Sequence, residues 1–267
     1  MNVADTSRPL VSLSALSSGD DAPVVVVDFS KFTGEKTVSE LLGSLIEDRP
    51  VLKVDPVADL SVTTAWLSLQ ELARAYTELL CELEQSPALL VGYCSAAPLA
   101  LAIAEELAAA DRTVPVQLIA PGFPDRLLVH EELTEIRQSI GAPSTAEDFG
   151  LDSDSGVAMD QIRAVLQRDL VAAAVANGLS VVEAEILTEE LGARYGAWLA
   201  YVLSAADAAP PCVPSDVRVV TSHDVWSAPA EGWPSAARIQ IGDELRPQFL
   251  DSERVAQAVS DQLGELL

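Results

Sequence analysis

Cys94 is the residue whose setting most clearly suggests chemistry. It stands in Leu89-Leu90-Val91-Gly92-Tyr93-Cys94-Ser95-Ala96, with a small residue two places before it and another two places after. A nucleophile carried on a sharp strand-to-helix turn needs that spacing, because the turn is strained and crowded on both sides. Such a turn lifts the side chain over the sheet edge, at the N-terminus of the following helix. The helix dipole and the backbone N–H groups there favour a thiolate and then an oxyanion. The Ser95 N–H is the candidate first oxyanion donor. Ser95 itself fits poorly as the nucleophile, since Tyr93 would then fill a position that must be small. The competing reading of a G-x-C-x-A pattern is a buried structural cysteine. The apolar strand before Cys94 and the long helix after it favour the elbow. Cys81, on a helical pattern, and Cys212, beside prolines, read as structural.

The elements that must hold this turn can be followed along the chain. Val24 to Val27 is a β-branched run suited to a buried parallel strand. Thr37 to Glu47 has a helical apolar face in Val38, Leu41, Leu42 and Leu45. Val51 to Val54 reads as a second strand, stopped by Asp55-Pro56. The spacing of Leu69, Leu72, Ala73, Tyr76, Leu79, Leu80 and Leu83 predicts a helix over Trp66 to Glu84. A third strand over Ala88 to Val91 enters the turn, a helix over Ala97 to Ala110 leaves it, and Pro115 to Ile119 is a fourth strand. Strands alternating with helices imply a mostly parallel sheet with helices on both faces.

The rhythm then changes. From about Asp125 to Asp207 the pattern is helical throughout. Ser180 and Glu183 have capping-box spacing, and Leu187, Leu191, Tyr195, Trp198 and Val202 recur on one face, the stripe of Leu187, Leu191, Tyr195 and Trp198 reading as core packing. Strand character returns at Val217 to Thr221 and Arg238 to Ile241, and a helix over Ser252 to Leu266 follows. The expected organisation is a flexible tail over 1–20, an α/β core over 21–121 and 212–267, and a helical lid inserted over 122–211.

Composition narrows the function classes. A formal net charge of −25 opposes binding to nucleic acid or anionic membrane surfaces, which needs Lys/Arg patches. The apolar stretches are too interrupted to span a bilayer, and Met1 to Asp21 lacks the pattern of a signal peptide. Three cysteines with no CxxC pair give neither a disulfide framework nor a zinc motif, and a reducing cytoplasm fits best. No metal cluster or phosphate loop is evident, so no cofactor is expected.

The stretch Gly92-Tyr93-Cys94-Ser95-Ala96-Ala97 resembles the elbow of the stand-alone thioesterases of polyketide and nonribosomal-peptide synthesis, members of the α/β-hydrolase superfamily. Asp48-Arg49-Pro50-Val51, the helix Leu99 to Leu107 and the helical insertion resemble theirs as well. The resemblance covers nearly all the chain after residue 20. It implies an α/β-hydrolase fold and an acyl group carried covalently on Cys94. The substrate it implies is an acyl or peptidyl carrier protein whose phosphopantetheine arm brings a thioester.

Three positions depart from that pattern. The loop that should supply the second oxyanion donor is Asp28-Phe29-Ser30-Lys31-Phe32-Thr33-Gly34, with Phe29 as the candidate, and it is not glycine-rich. Gln117-Leu118-Ile119 is followed by Ala120-Pro121, with Asp125 the nearest acid, so Asp224 after Val219-Val220-Thr221 is the candidate catalytic acid. Past the last strand, in Ile241-Gly242-Asp243-Glu244-Leu245, Glu244 occupies the place of the family's histidine. Of the two histidines, His130 reads as a solvated helix residue, while His223, beside Asp224, is a candidate relocated base.

A cysteine tolerates a missing base better than a serine does. Hydrolysis of an acyl-cysteine needs water to be activated, whereas a nucleophile built into the substrate does not. The pattern therefore tilts towards intramolecular release, as in the Dieckmann cyclases, a second group that the chain resembles in size, elbow cysteine and lid. The expected function is off-loading of a carrier-bound acyl thioester through acyl-Cys94, by cyclisation or hydrolysis. The alternative is a catalytically impaired thioesterase-like protein that binds an acyl chain or a synthase partner.

Overall fold

The computed structural model describes residues 11–29, 37–46, 48–63, 65–142, 154–209, 216–221 and 237–240, together with residues 257, 261 and 264. The chain forms two compact units, one of residues 1–56, 69–123 and 209–267, the other of residues 57–68 and 124–208.

The first unit is built on a seven-stranded sheet. Its strands are β1 (Leu13–Ala15), β2 (Val24–Val27), β3 (Val51–Val54), β4 (Leu89–Tyr93), β5 (Val116–Ile119), β6 (Val217–Thr221) and β7 (Ala237–Gln240). Their order across the sheet is β1-β3-β2-β4-β5-β6-β7. All neighbouring pairs are parallel except β1 with β3. Parallel strands buried on both faces need no polar alternation, and the four valines of β2 are completely buried. The edge strand β1 lies within the tail expected over 1–20. A three-residue strand, Leu-Ser-Ala, is too short to show a period of two.

Helices α1 (Val38–Leu45), α3 (Leu69–Cys81) and α4 (Ala97–Ala109) belong to this unit. Thr37 opens α1 through a full capping box with Glu40, which satisfies N–H groups a helix start leaves unpaired. Val38 and Leu42 of α1 join Val24, Val26, Val51, Leu89, Val91, Ile119 and Val220 in one core cluster. Helix α4 covers the opposite face, with α3 against it. Helix α3 is shorter at both ends than its apolar spacing predicts. Of the helix expected over Ser252–Leu266, residues 257, 261 and 264 are described, and each is helical.

The second unit is helical. Its elements are α2 (Pro56–Ser61), which begins at the unit's boundary, α5 (Arg126–Ser139), α6 (Ser155–Ala176) and α7 (Val181–Asp207). Pro56, read from sequence as a strand stop, also takes the first position of α2, where a missing N–H costs nothing. Helices α6 and α7 pack together, joined through Gly178 at φ +98, a left-handed conformation suited to glycine. Ser180 starts α7 with the capping box its spacing predicts. Arg137 and Asp169 form a buried ion pair between α5 and α6 at 2.7 Å. Trp198 donates its Nε1–H to Glu132 at 3.1 Å.

One expectation needs correction here. Tyr195, Trp198 and Val202 are buried, but Leu187 is 65% exposed and Leu191 38% exposed. Val181, Val182 and Ile186 are exposed as well; in the N-terminal half of α7 the buried residues are Ala184 and Thr188, not the leucines. No helix among the described residues is long and apolar enough to cross a membrane.

Candidate active site

Strand β4 ends at Tyr93, a single 3-10 turn covers Cys94–Ala96, and α4 begins at Ala97. Cys94 sits at φ +49. Side chains rarely adopt that region, and holding one there costs on the order of 1–3 kcal/mol. The surroundings are correspondingly tight. A Cβ at Gly92 would lie 2.8 Å from Ala100 Cβ and 3.2 Å from Ala97 Cα, so only glycine lets β4 and α4 approach this closely. Ala96 and Ala97 are completely buried, and Pro98 falls in the first turn of α4, where proline is tolerated. Cys94 is half-buried, with its Sγ 3.9 Å from Ser95 Oγ.

The segment after β5 braces this turn. Ala120 also has positive φ, +43, and its N–H donates to Val220 O at 2.7 Å. Gly122 then donates its N–H to Cys94 O at 2.9 Å. The sequence shows that no acid follows β5 directly. It does not show that Ala120-Pro121-Gly122 supports the elbow through its backbone.

On the other side of β4 lies β2, with Val27 paired to Gly92. Asp28 and Phe29 therefore leave the sheet next to Tyr93 and Cys94, at the same carboxyl edge. Asp28 is completely buried and stays in the ladder, its N–H donating to Val54 O at 3.2 Å. Its Oδ2 accepts the Ser39 N–H at the start of α1, at 2.7 Å. Its Oδ1 has no hydrogen-bond partner. Lys53 Nζ lies 3.9 Å from Asp28 Oδ1 but only 2.9 Å from Asp55 Oδ2. Burial pushes the Asp28 carboxyl up to about 6, against the opposing influence of the Ser39 hydrogen bonds and of Lys53. In the sequence Asp28 reads only as the first residue of a loop. The available signal was an acid directly after a run of four buried valines.

Cys94, Ser95 and Phe29 thus occupy one edge of the sheet. His223, Asp224 and Glu244 lie outside the described residues, as does Cys212. Asp125 caps α5 by accepting the Leu128 N–H at 2.8 Å. His130 is exposed on α5, with its carbonyl accepting the Thr134 hydroxyl at 2.8 Å. Cys81 ends α3, and its carbonyl accepts an Arg112 guanidinium N–H at 3.0 Å.

A mostly parallel sheet with helices on both faces and a strained turn after a central strand defines an α/β-hydrolase fold. The comparisons with solved structures agree. The thioesterase domain of NocB from the nocardicin cluster is similar over 94% of this chain and 98% of its own, at 20% identity and a TM-score of 0.52. The Vlm2 thioesterase domain is similar over 93% and 96%, at 15% identity and a TM-score of 0.56. A thermophilic esterase from Thermogutta terrifontis is similar over 96% and 94%, at 17% identity and a TM-score of 0.55. No family model matches the chain, and no curated protein matches it.

Proposed function

We propose that the protein off-loads an acyl group from a carrier-bound thioester through an acyl-Cys94 intermediate. The observation that carries this reading is the positive φ of Cys94 at the turn between β4 and α4. A cysteine with only a packing role gains nothing from that strained conformation. A nucleophile gains exposure over the sheet edge and the N–H groups of the following helix. The likeness to thioesterase domains supports the substrate class, an acyl or peptidyl carrier protein presenting its phosphopantetheine arm. The Cys94 thiolate adds to the thioester carbonyl carbon, the Ser95 N–H and a donor at Phe29 hold the oxyanion, and collapse expels the carrier thiolate. Asp224, His223 and Glu244 are the candidates for the acid and base of the release step. Release proceeds by attack of a nucleophile within the acyl chain, in Dieckmann fashion, or by water.

Incubating the full chain with an acyl-N-acetylcysteamine thioester and recording intact mass tests the reading. An acyl adduct is expected on the native protein and none on Cys94→Ala. Decay of the adduct to a cyclic product rather than the free acid marks cyclisation. A native protein that takes up no acyl group, with Cys94 reduced and alkylatable, would leave a thioesterase-like binding protein in place of an enzyme.

A further inference from the structure

The ionised form of a completely buried carboxyl with one oxygen lacking a hydrogen bond is costly to keep, and a neutral residue of the same shape avoids that cost. Asp28 is such a group. It stands beside the proposed oxyanion edge, one strand away from Cys94. It also ties two elements together, its main chain to β3 through Val54 and its side chain to the first turn of α1 through Ser39. The charged groups around it are few among the described residues. Lys53 and Asp55 approach from β3 and its end. On α1, Glu40 is turned to the Thr37 N–H in the capping box. At the end of β4, one step past the Val27–Gly92 pair, Tyr93 lies level with Asp28, and Cys94 follows in the turn.

We propose that Asp28 is a positioning residue for acyl transfer, whose carboxylate, held by the Ser39 N–H and balanced by Lys53, fixes the Asp28–Phe29 backbone beside the oxyanion formed at Cys94. This assignment rests on the acyl-transfer reading above. A carboxylate accepts a backbone N–H more strongly than a carboxylic acid does. Protonating Asp28 therefore loosens the tie between β2 and α1 and misplaces the Phe29 donor. In the step concerned, the Cys94 sulfur bonds to the thioester carbon and the carbonyl electron pair moves onto oxygen. When it returns, the bond to the carrier sulfur breaks, and that thiolate takes up a proton equivalent to the one the Cys94 thiol gave up. Only the oxyanion state feels the displaced donor.

Two reactions of the full chain separate this role from a general effect on the thiol. Acylation by acyl-N-acetylcysteamine passes through an oxyanion, whereas alkylation of Cys94 by iodoacetamide does not. The ratio of the acylation rate to the alkylation rate is expected to rise with pH through a limb near the Asp28 value of about 6. Asp28→Asn should lose that limb and lower acylation by about tenfold at neutral pH, with alkylation changed by less than about twofold. Lys53→Met, which removes the opposing positive charge and keeps Asp28, should move the limb to higher pH. Acylation at the native rate in Asp28→Asn, or a limb unmoved in Lys53→Met, would overturn the assignment of Asp28 and leave the Cys94 reading intact. Acylation and alkylation falling together would also overturn it. Absence of an adduct on the native protein would overturn both.

Discussion

The burial of Asp28 also makes the stability of the fold depend on pH. Burial in the fold raises its carboxyl from the ordinary 3.8 to about 6. Below pH 3.8 both states hold the proton. Between 3.8 and 6 the unfolded chain releases it first, so stability falls as pH rises through that window. Above about 6 the loss is complete and amounts to about 3 kcal/mol. Asp28→Asn should therefore be more stable than the native protein at neutral pH, by up to about 3 kcal/mol, with a weaker pH dependence between 4 and 6. Urea unfolding of both proteins across that range checks this, and a less stable Asn variant at neutral pH would contradict it. Cys94 and Asp28 differ in how readable they are from sequence. The elbow is a local steric problem, solved within five residues by Gly92 and Ala96. The burial of Asp28 depends on Ser39, Lys53 and Val54, supplied by α1 and β3, and no window around residue 28 contains that information.

Among the elements, the Arg137–Asp169 pair between α5 and α6 gives a clear test. Both side chains are nearly inaccessible, at 6% and 4%, and Asp169 also accepts from Arg168. Removing Arg137 leaves the buried Asp169 with only the half-exposed Arg168 as its ionic partner. Arg137→Met should cost up to about 3 kcal/mol in chemical unfolding, while Arg137→Met with Asp169→Leu should recover part of that. Equal losses in the single and double variants would show that packing rather than charge sets the cost. The capping box at Ser180 was readable because side chain and backbone satisfy each other within four residues. The fate of Leu187 and Leu191 was not. Periodicity says which residues share a helix face, but the partner that covers a face lies elsewhere in the chain. Along α7 that cover extends over Tyr195–Ala205 and leaves the first turns open.

For the molecule as a whole, the net charge of −25 is spread over 267 residues and repels itself in the compact state. Raising NaCl from about 0.01 M to about 1 M shortens the screening length from about 30 Å to about 3 Å. The thermal midpoint should rise along that series, and a midpoint that falls throughout would show that specific ion pairs outweigh the general repulsion. The parallel sheet was legible because four apolar runs alternate with helical spacings, which few architectures accommodate. The position of β6 beside β5 carries a further consequence. Val116 to Ile119 are completely buried in the finished sheet, yet the strand that covers their outer side begins only at Val217. On the ribosome, at about 5–20 residues per second, β5 emerges on the order of 10 s before its partner is made. Throughout that interval the outer side of β5 has no strand beside it, and its unpaired backbone groups form the kind of edge that another chain can pair with.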